Sequence, residues 1–419
     1  MKTVGLRRLS PGDVGKLKRE PVSPKTLAEA GKIVDAVREG GETALREYAE
    51  KFGEIAPDAP LVIARQELEK ALAGIDQPTR RVLERTAQRI RAFAQAQRRT
   101  AQNVATKIAG GRAGHTFAPV HRVGCYAPGG RFPLVSSVLM TAIPAKVAGV
   151  SSIWVATPRP SPLMLAAAAV AGAEAVVVTG GAHTIAALAH GVGPIPACDM
   201  VVGPGNRWVT AAKLLVSGQV GIDMLAGPSE LVVVADASAD PVTVAADLLA
   251  QAEHDPDALP VLISLDEDLV RAVNEELGRQ STDLPTASVA VAALANGFAV
   301  VTDLDTAVDI CNRLAPEHLE LLLADAKILA ERFEHYGALF IGAMSAEVFG
   351  DYGAGPNHTL PTGGAARFTG GLSVFTFLRL RTWLEIESRE QAAELIDDAV
   401  TLARLEGLEG HARSAKRRK

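Results

Sequence analysis

The segment SIWVATPRPSPLMLAAAAVAGAEAVVVTGG occupies residues 152–181. Two short apolar runs, at 152–156 and 175–179, flank a stretch at 161–172 that has a helical composition and ends on a glycine. Glycine is common just past the last turn of a helix, because it adopts the left-handed conformation at little cost. A strand–helix–strand unit of this length predicts neighbouring parallel strands with a helix packed across them.

The same alternation continues on both sides of this segment. The sequence predicts a strand at 200–202 and helices at 137–149, 182–191 and 206–218. A second set contains a helix after Pro241, a helix at about 305–314, and strands at 231–235, 261–265, 298–302 and 338–342. We therefore predict an α/β protein with two Rossmann-like parallel-sheet domains, one inserted in the other.

The chain before residue 100 is predicted to be mainly helical. Ser23-Pro24 is typical of a helix start, with serine as the cap and proline in the first turn, and Gly40-Gly41 marks the end of that helix. Further helices are expected over 42–52 and 77–97.

The last part of the chain is predicted to be a helical tail. Ser-Arg-Glu-Gln at 388–391 forms a capping box, which predicts that a helix starts at Ser388. The apolar positions beyond it form one stripe: Ala392, Leu395, Ile396, Ala399, Leu402 and Ala403. Because a lone helix is only marginally stable in water, we expect this stripe to pack on the protein body or on a second subunit.

The composition argues against several classes of protein. A hydrophobic content of 48% and a charged content of 22% are typical of a soluble globular protein, and the net charge of −5 argues against a nucleic-acid partner. The 3 cysteines are widely spaced and predict no disulfide framework. The most apolar stretch, 163–178, is interrupted by Gly172 and Glu174 and is too short for a membrane span. With no secretory signal in the pattern, we expect a cytoplasmic protein.

Three glycine-rich turns are candidates for a phosphate-binding site. They are Gly-Cys-Tyr-Ala-Pro-Gly-Gly at 124–130, Gly-Gly-Ala-His at 180–183 and Gly-Pro-Gly-Asn at 203–206. The last two lead directly from a strand into a helix, where backbone N–H groups and the helix dipole favour a phosphate. No Gly-x-Gly-x-x-Gly fingerprint is present, so tight turns without a ligand are an equally good interpretation at this point.

Several side chains could form a metal or acid–base site. Gln251 and His254 are three residues apart, so they share one face of the helix predicted after Pro241, although two ligands do not complete a zinc site. Asp351, His358 and His411 are further candidate ligands. The adjacent pair 317–318, Glu-His, offers a carboxylate and an imidazole for proton transfer. Taken singly, each of these residues is better explained as an ordinary helix end, surface or core position.

Together, these motifs resemble the histidinol dehydrogenase family. The similarity extends from about residue 20 to about residue 413, in eight blocks in family order. The blocks are YAPGG (126–130), GPGN (203–206), AGPSE (226–230), QAEH (251–254), APEHLE (315–320), GDY (350–352), NHTLPT (357–362) and EGLEGH (406–411).

The resemblance implies one zinc ion per subunit and a site shared between the two subunits of a homodimer. The implied zinc ligands are Gln251, His254, Asp351 and His411, the last of them supplied by the partner subunit. The implied substrate contacts are Ser229, Gln251, His254, His318, Asp351, His358, Glu406 and His411. The implied reaction is a four-electron oxidation of L-histidinol to L-histidine through L-histidinal, with two NAD. In it His318 takes the alcohol proton, and Glu317 activates water for the second oxidation.

The implied cofactor contacts match the family less closely. Tyr126 and Asn206 stand at the family's NAD positions, but His183 stands where a glutamine is usual. The sequence Ala-His-Gly-Val at 189–192 also departs from the usual Ala-Tyr-Gly-Thr. We expect these departures to alter the affinity for NAD rather than to abolish function.

The resemblance also suggests a division of the chain. Residues 1–22 are an N-terminal arm, and 23–122 with 229–370 form the zinc and substrate domain. Residues 123–228 form the NAD-binding Rossmann-like domain, and 371–419 form a helical dimerisation tail.

Other functions are compatible with parts of the pattern. The nearest is a related enzyme that oxidises another small alcohol, such as a sulfonated diol, although the presence of Glu406 and His411 favours histidinol. A zinc hydrolase is disfavoured because the sequence has no His-Glu-x-x-His motif. A non-catalytic nucleotide-binding protein would not need the 317–318 pair. A covalent cysteine intermediate is disfavoured because no cysteine lies in the zinc-site motifs.

Overall fold

The computed structural model describes residues 4–16, 22–129 and 133–419. Gly130 of the YAPGG block and parts of the expected N-terminal arm, at 1–3 and 17–21, lie outside the described residues.

The described residues form an α/β structure with three sheets. The strands are β1 (Arg7–Arg8), β2 (Val62–Ala64), β3 (Val104–Ile108), β4 (Gly111–Pro119), β5 (Arg122–Tyr126), β6 (Ser152–Ala156), β7 (Ala175–Val177), β8 (Met200–Val202), β9 (Gly221–Ile222), β10 (Glu230–Ala235), β11 (Leu259–Ser264), β12 (Phe298–Val301), β13 (His318–Leu322), β14 (Ala338–Ile341) and β15 (Leu378–Ile386). The helices are α1 (Pro11–Val14), α2 (Pro24–Lys51), α3 (Arg65–Gly74), α4 (Gln77–Thr100), α5 (Val135–Ala148), α6 (Pro162–Ala171), α7 (Gly181–His190), α8 (Arg207–Val216), α9 (Pro241–Ala252), α10 (Glu267–Gln280), α11 (Ala287–Leu294), α12 (Leu304–Leu314), α13 (Ala326–Leu329), α14 (Glu347–Asp351), α15 (Ala393–Leu405) and α16 (Glu409–Lys416).

Sheet A is entirely parallel and has the strand order β1-β12-β11-β10-β13-β14. Its central strand, β10, is buried on both faces because helices cover both sides of the sheet. Leu231 and Val233 pack under α9, α10 and α11, whereas Val232 and Val234 pack under α12 on the opposite face. Successive side chains of a strand point to opposite faces, so a continuous apolar run is what a doubly covered strand requires.

Sheet B has the strand order β2-β7-β6-β5-β8-β9, with β2 antiparallel to β7 and the other pairs parallel. Val123 and Cys125 of β5 face a core formed with α4, α5 and α6. Tyr126 belongs to the opposite core, which contains α2, α7 and α8. Sheet B is therefore a second unit with helices on both faces.

The connection between the sheets confirms that one unit is inserted in the other. Near the start of the chain, Arg7 of β1 pairs with Phe298 of β12 in sheet A. The chain then forms sheet B between Val62 and Ile222, and returns to sheet A at Glu230.

The predicted break after the first helix is also confirmed. Helix α2 begins after Ser23, whose side chain accepts a hydrogen bond from the backbone N–H of Thr26. Its helical geometry is interrupted at Gly41, where φ is 58° and ψ is −137°. Few residues other than glycine adopt this conformation, so the glycine pair allows two helical segments to continue as one bent helix.

The helices before residue 100 pack on sheet B. Helices α2, α3 and α4 contact α7, α6 and α5 respectively, and β2 extends the edge of sheet B. The apolar faces of these helices are buried against the helices of sheet B. The expected grouping of 23–122 with 229–370 stays a prediction.

A third sheet was missed in the sequence. Sheet C is antiparallel with the order β15-β4-β3, and in it β15 pairs with β4 over nine residues, from Leu378 opposite Pro119 to Ile386 opposite Gly111. The tail helix starts later than predicted, at Ala393 instead of Ser388, because 389–392 form a turn. The Ser388 hydroxyl still accepts a hydrogen bond from the Gln391 backbone N–H.

Within the described residues, none of the helices has the length and apolarity that crossing a bilayer would require.

Candidate active site

The acid–base pair Glu317 and His318 lies at the amino end of β13, beside the first residue of β10. The strand register places His318 opposite Leu231, so Glu317 lies next to Glu230. The Glu230 backbone N–H donates a hydrogen bond of 2.9 Å to Glu317 Oε2, and the Glu230 carbonyl lies 3.0 Å from His318 Nδ1. A single peptide segment of β10 therefore holds both side chains.

This contact fixes the protonation of the His318 ring. A carbonyl can only accept, so Nδ1 carries the proton and donates it to Glu230, which leaves Nε2 as the basic nitrogen. Burial lowers the pKa of His318 to about 4, although the nearby Asp351 carboxylate acts in the opposite direction. The ring is only 3% exposed. His318 is therefore a neutral imidazole at physiological pH and can accept a proton.

The Glu317 carboxyl has the opposite perturbation. Burial, with the nearby Glu230 and Asp351 carboxylates, raises the pKa of Glu317 well above its ordinary value, although the Glu230 N–H and the Ser229 side chain favour the charged form. A general base works best when its pKa approaches the working pH. The environment thus shifts Glu317 toward the range in which a carboxylate can take a proton from water.

Gln251 lies in the last turn of α9, and His254 follows two residues after the helix ends, so the expectation that both share one helical face stays a prediction. Gln251 is fully buried, and neither its Oε1 nor its Nε2 has a hydrogen-bond partner among the described residues. His254 Nε2 lies 3.4 Å from Asp351 Oδ2. Buried amides nearly always have partners, so the chemistry of the unpaired Gln251 amide fits a metal ligand.

Asp351 is the point at which three imidazoles converge. His358 Nδ1 donates a hydrogen bond of 3.1 Å to the Asp351 backbone carbonyl and lies 3.5 Å from Asp351 Oδ1. Burial acts to raise the pKa of Asp351, but the His358 hydrogen bond and the electrostatic interactions with His358, His318 and His254 lower it to about 2. Asp351 is therefore an ionised carboxylate in the centre of the site.

Glu347 is a site residue that the motifs did not indicate. One ligand atom from each of His254, Glu347 and Asp351 lies within 4.8 Å of the others. The only signal in the sequence is the spacing of four residues between Glu347 and Asp351, which places both on one side of a helical turn.

The segment that carries His358 ties this site to the unit built on sheet B. The Asn357 side chain donates a hydrogen bond to the Met140 carbonyl in α5, and Ser137 of the same helix lies 3.4 Å from His358 Nε2. Further along, the Gly363 N–H donates to the Glu230 carboxylate. The site therefore lies where the two units meet.

The predicted cofactor turns converge at the carboxyl edge of sheet B. Tyr126 ends β5, and its hydroxyl accepts a hydrogen bond of 3.2 Å from the Gly181 N–H after β7. Gly203 follows β8 with φ of 114°, and a Cβ there would lie 2.0 Å from the Tyr126 carbonyl. The strand order reverses between β5 and β8, and such a switch point is where doubly wound sheets bind nucleotides.

His183 lies in this region but its ring is covered. It is 1% exposed, and its Nε2 lies 2.9 Å from Glu54 Oε2, which also accepts a hydrogen bond from the Gly180 N–H. The ring also stacks on Tyr48. The replacement of glutamine by histidine is thus accommodated by a carboxylate from the end of α2. That His183 touches the cofactor stays a prediction.

Asn206 caps α8, and a buried ion pair stabilises the preceding turn through hydrogen bonds to Gly203. The Asn206 side chain accepts hydrogen bonds from the N–H groups of Trp208 and Val209. Lys213 and Asp223 form an ion pair with side chains 2% and 0% exposed. Lys213 Nζ donates to the Gly203 carbonyl, and the Gly203 N–H donates to Asp223. No sequence motif indicated this pair.

Glu406 and His411 are brought together, but on the tail. Both are exposed and line one shallow groove between α15 and α16, with Ala403 and Arg418. His254, Glu347 and Asp351 meet elsewhere, beside sheet A. That Glu406 and His411 complete a site stays a prediction, and it needs the second subunit.

The cysteines do not favour a covalent route. Burial raises the pKa of Cys125 and of Cys311, and raises that of Cys198 to about 12. A thiol in this state is a poor nucleophile, because the thiolate is the reactive form.

Comparison with known proteins places the chain in a family. A family model described as histidinol dehydrogenase matches residues 17–419. Histidinol dehydrogenase of Thermus thermophilus is 47% identical over 91% of this chain and 92% of its own length, and that of Pseudomonas savastanoi is 44% identical over 92% and 88%. The crystal structure of histidinol dehydrogenase from Elizabethkingia anophelis, at 30% identity, superimposes with a TM-score of 0.91 and covers 99% of this chain and 98% of that one. The chain therefore belongs to the histidinol dehydrogenase family of oxidoreductases.

Proposed function

We propose that the protein oxidises L-histidinol to L-histidine through L-histidinal, with one zinc ion per subunit and two NAD per turnover. The observation that carries the proposal is the meeting of the 317–318 acid–base pair with a group of metal-type donors at one edge of sheet A. Family membership supports the substrate, and the cytoplasm is the expected location of such a biosynthetic enzyme.

The donors fit a zinc ion. The unpaired amide of Gln251, the imidazole of His254 and the carboxylate of Asp351 supply the oxygen and nitrogen ligands that zinc accepts, with His411 of the partner subunit as the fourth. When bound, the ion supplies positive charge that holds the amine and imidazole of histidinol. Ser229, His358 and Glu406 are the other substrate contacts we propose, with Glu406 pairing with the substrate ammonium.

The dinucleotide fits the carboxyl edge of sheet B. Tyr126, His183 and Asn206 lie around the turns at 180–183 and 203–206, and the close approach at Gly203 leaves no room for a side chain there. When bound, the nicotinamide ring accepts the hydride. Because Glu54 holds His183, we propose that His183 acts on the cofactor mainly by fixing this turn.

The side chains of His318 and Glu317 account for the proton transfers. Neutral His318 accepts the alcohol proton as the carbon loses a hydride, which produces the aldehyde. Glu317 then takes a proton from the water that adds to the aldehyde, and the hydrate loses a second hydride to give the carboxylate. Closure between subunits would keep the aldehyde in the site.

The test is the yield of NADH from limiting L-histidinol, followed by absorbance, with and without a chelator. Two NADH per histidinol, lost with the chelator and restored by zinc, are expected. One NADH would mean that the aldehyde is released and that Glu317 does not act as proposed. No NADH from histidinol, with turnover of another small alcohol, would overturn the proposed substrate.

A further inference from the structure

The carboxyl end of α2 has a glycine cap that fixes the position of Glu54. Gly53 adopts the left-handed conformation, with φ of 65°, and its N–H donates to the Glu50 carbonyl. The Glu54 N–H donates a hydrogen bond of 2.8 Å to the Ala49 carbonyl. This pair of bonds is a Schellman motif, in which the residues past a helix bond back to its last turn. The backbone therefore holds Glu54 in one place relative to α2.

The Glu54 carboxylate reaches from this cap to the first turn of α7. One oxygen, Oε2, accepts a hydrogen bond of 3.0 Å from the Gly180 N–H and lies 2.9 Å from His183 Nε2. An ionised carboxylate only accepts, so His183 Nε2 carries a proton and donates it to Glu54. The His183 and Glu54 side chains are 1% and 11% exposed, so both bonds are protected from water. A single oxygen thus binds both the backbone and a side chain of the turn at 180–183.

The same turn also bonds to a proposed cofactor contact. The Gly181 N–H, next to that of Gly180, donates to the Tyr126 hydroxyl. A Cβ at Gly180 would lie 2.8 Å from the Pro158 ring, so the backbone of the turn is closely packed. Because Glu54 and Tyr126 bind adjacent N–H groups, a displacement of one contact displaces the other.

We propose that Glu54 is a positioning residue for the dinucleotide, and that its two hydrogen bonds hold the turn at 180–183 in the conformation that binds NAD. This inference rests on the proposed cofactor site and adds to it a residue to which the family resemblance gives no role. Glu54 acts through Gly180 and His183 and does not itself contact the cofactor.

The test is the Kd of the full-length protein for NADH, measured by titration of NADH fluorescence with excess L-histidine present. Glu54→Ala should raise this Kd by about tenfold, the order expected for loss of a hydrogen bond to a charged group. The KM for L-histidinol should stay close to that of the wild type, because the substrate residues lie at the edge of sheet A. A general loss of structure would weaken both.

Two conservative variants separate hydrogen bonding from charge. Glu54→Gln loses the charge, but its amide oxygen can accept both hydrogen bonds, so its Kd for NADH should stay close to that of the wild type. Glu54→Asp keeps the charge on a side chain that is shorter by one carbon, so its Kd should rise as in Glu54→Ala. Glu47→Ala is the matched control, since Glu47 is an exposed residue of the same helix. It should bind NADH as the wild type does.

A double-mutant cycle tests whether Glu54 acts through His183. In the His183→Ala background one of the two hydrogen bonds is already lost. Glu54→Ala should therefore raise the Kd for NADH by a smaller factor in this background than in the wild type. Equal factors in the two backgrounds would contradict the coupling.

The remaining outcomes are distinct. Wild-type affinity for NADH in Glu54→Ala and Glu54→Asp, or an affinity of Glu54→Gln as low as that of Glu54→Asp, would overturn the role of Glu54. A wild-type chain that binds no NADH and forms none from L-histidinol would instead overturn the cofactor in the proposed function.

Discussion

Among single residues, His318 has the clearest predicted effect on activity. Its neutral ring, whose Nε2 is not used by the Glu230 contact, is the proposed base for the alcohol proton, and a positioned base contributes a factor of about 10²–10⁴ in rate. His318→Ala should therefore lower kcat for L-histidinol by about this factor, measured as initial NADH formation. His121→Ala is the control, since His121 is exposed and its hydrogen bonds are made by its backbone. A kcat within threefold of wild type, as an order-of-magnitude limit, would exclude His318 as the base.

The low pKa of His318 also predicts that the stability of the protein depends on pH. The pKa of His318 is about 4 in the folded protein, against 6.5 for an ordinary histidine. Between these values the unfolded chain binds a proton that the folded protein does not bind. The contribution of His318 to the free energy of unfolding is therefore fully present above pH 6.5. It is lost as the pH falls toward 4, by up to about 3 kcal/mol.

Urea unfolding of metal-free protein at pH 7 and pH 4.5 measures this effect. In His318→Gln the free energy of unfolding should fall less between the two pH values than in the wild type. His121→Gln should follow the wild type. Equal decreases in His318→Gln and the wild type would show that the ring does not titrate as its burial requires.

The residues of the candidate site could be predicted from the sequence only where they belong to a motif. Gln251, His254, Asp351 and the 317–318 pair stand in recognisable blocks, and the structure brings His254, Asp351 and the 317–318 pair together. Glu347 and Glu54 could not be found, because a single glutamate in a helix gives no signal until its neighbours in space are known. Their roles depend on burial and on contacts between segments far apart in sequence.

Among the elements, the turn at 203–206 depends on the buried Lys213–Asp223 pair. The pair binds both the N–H and the carbonyl of Gly203, so its loss should disturb the turn as well as the core. Removal of one partner of a buried ion pair costs about 3–5 kcal/mol, because the other charge is left unpaired. Lys213→Met should lower the free energy of unfolding by this amount, measured with urea.

A second substitution and a control make the interpretation specific. In the Lys213→Met variant, the further substitution Asp223→Asn removes the unpaired charge and keeps an acceptor for the Gly203 N–H. The double variant should therefore be more stable than Lys213→Met alone. Lys146→Met, at an exposed lysine of α5, should change stability by no more than about 0.5 kcal/mol. A double variant less stable than Lys213→Met would mean that charge pairing is not the cause.

Seven strands of sheets A and B could be predicted, but five others in these sheets (β1, β2, β5, β9 and β13) and the strands of sheet C could not. Strands such as β6 and β8 are short apolar runs between helices, and their predicted bounds match the structure. Strands β4 and β15 contain arginines, a histidine and glycines, and most of their residues are partly or fully exposed. Their stability comes from pairing with each other, which a local pattern does not reveal.

For the whole molecule, the tail is the part that we propose a second subunit covers. Ile396 and Ala403 of the predicted stripe are buried, but Leu402 and Leu405 are 59% and 79% exposed. Glu406 and His411 are also exposed beside them. An apolar surface next to candidate substrate and metal residues is expected where a second subunit binds.

A mixing experiment tests whether the tail completes the site of the partner subunit. His318→Ala lacks the base and His411→Ala lacks the tail ligand, so each variant alone should have little activity. In a mixed dimer, the site built on the body of the His411→Ala chain has an intact His318 and receives an intact His411 from the partner subunit. Equal mixing through unfolding and refolding should therefore restore roughly one quarter of wild-type activity, because half of the dimers are mixed and each has one complete site. If the refolded mixture is no more active than the separate variants, while refolded wild type recovers fully, the site is complete within one subunit.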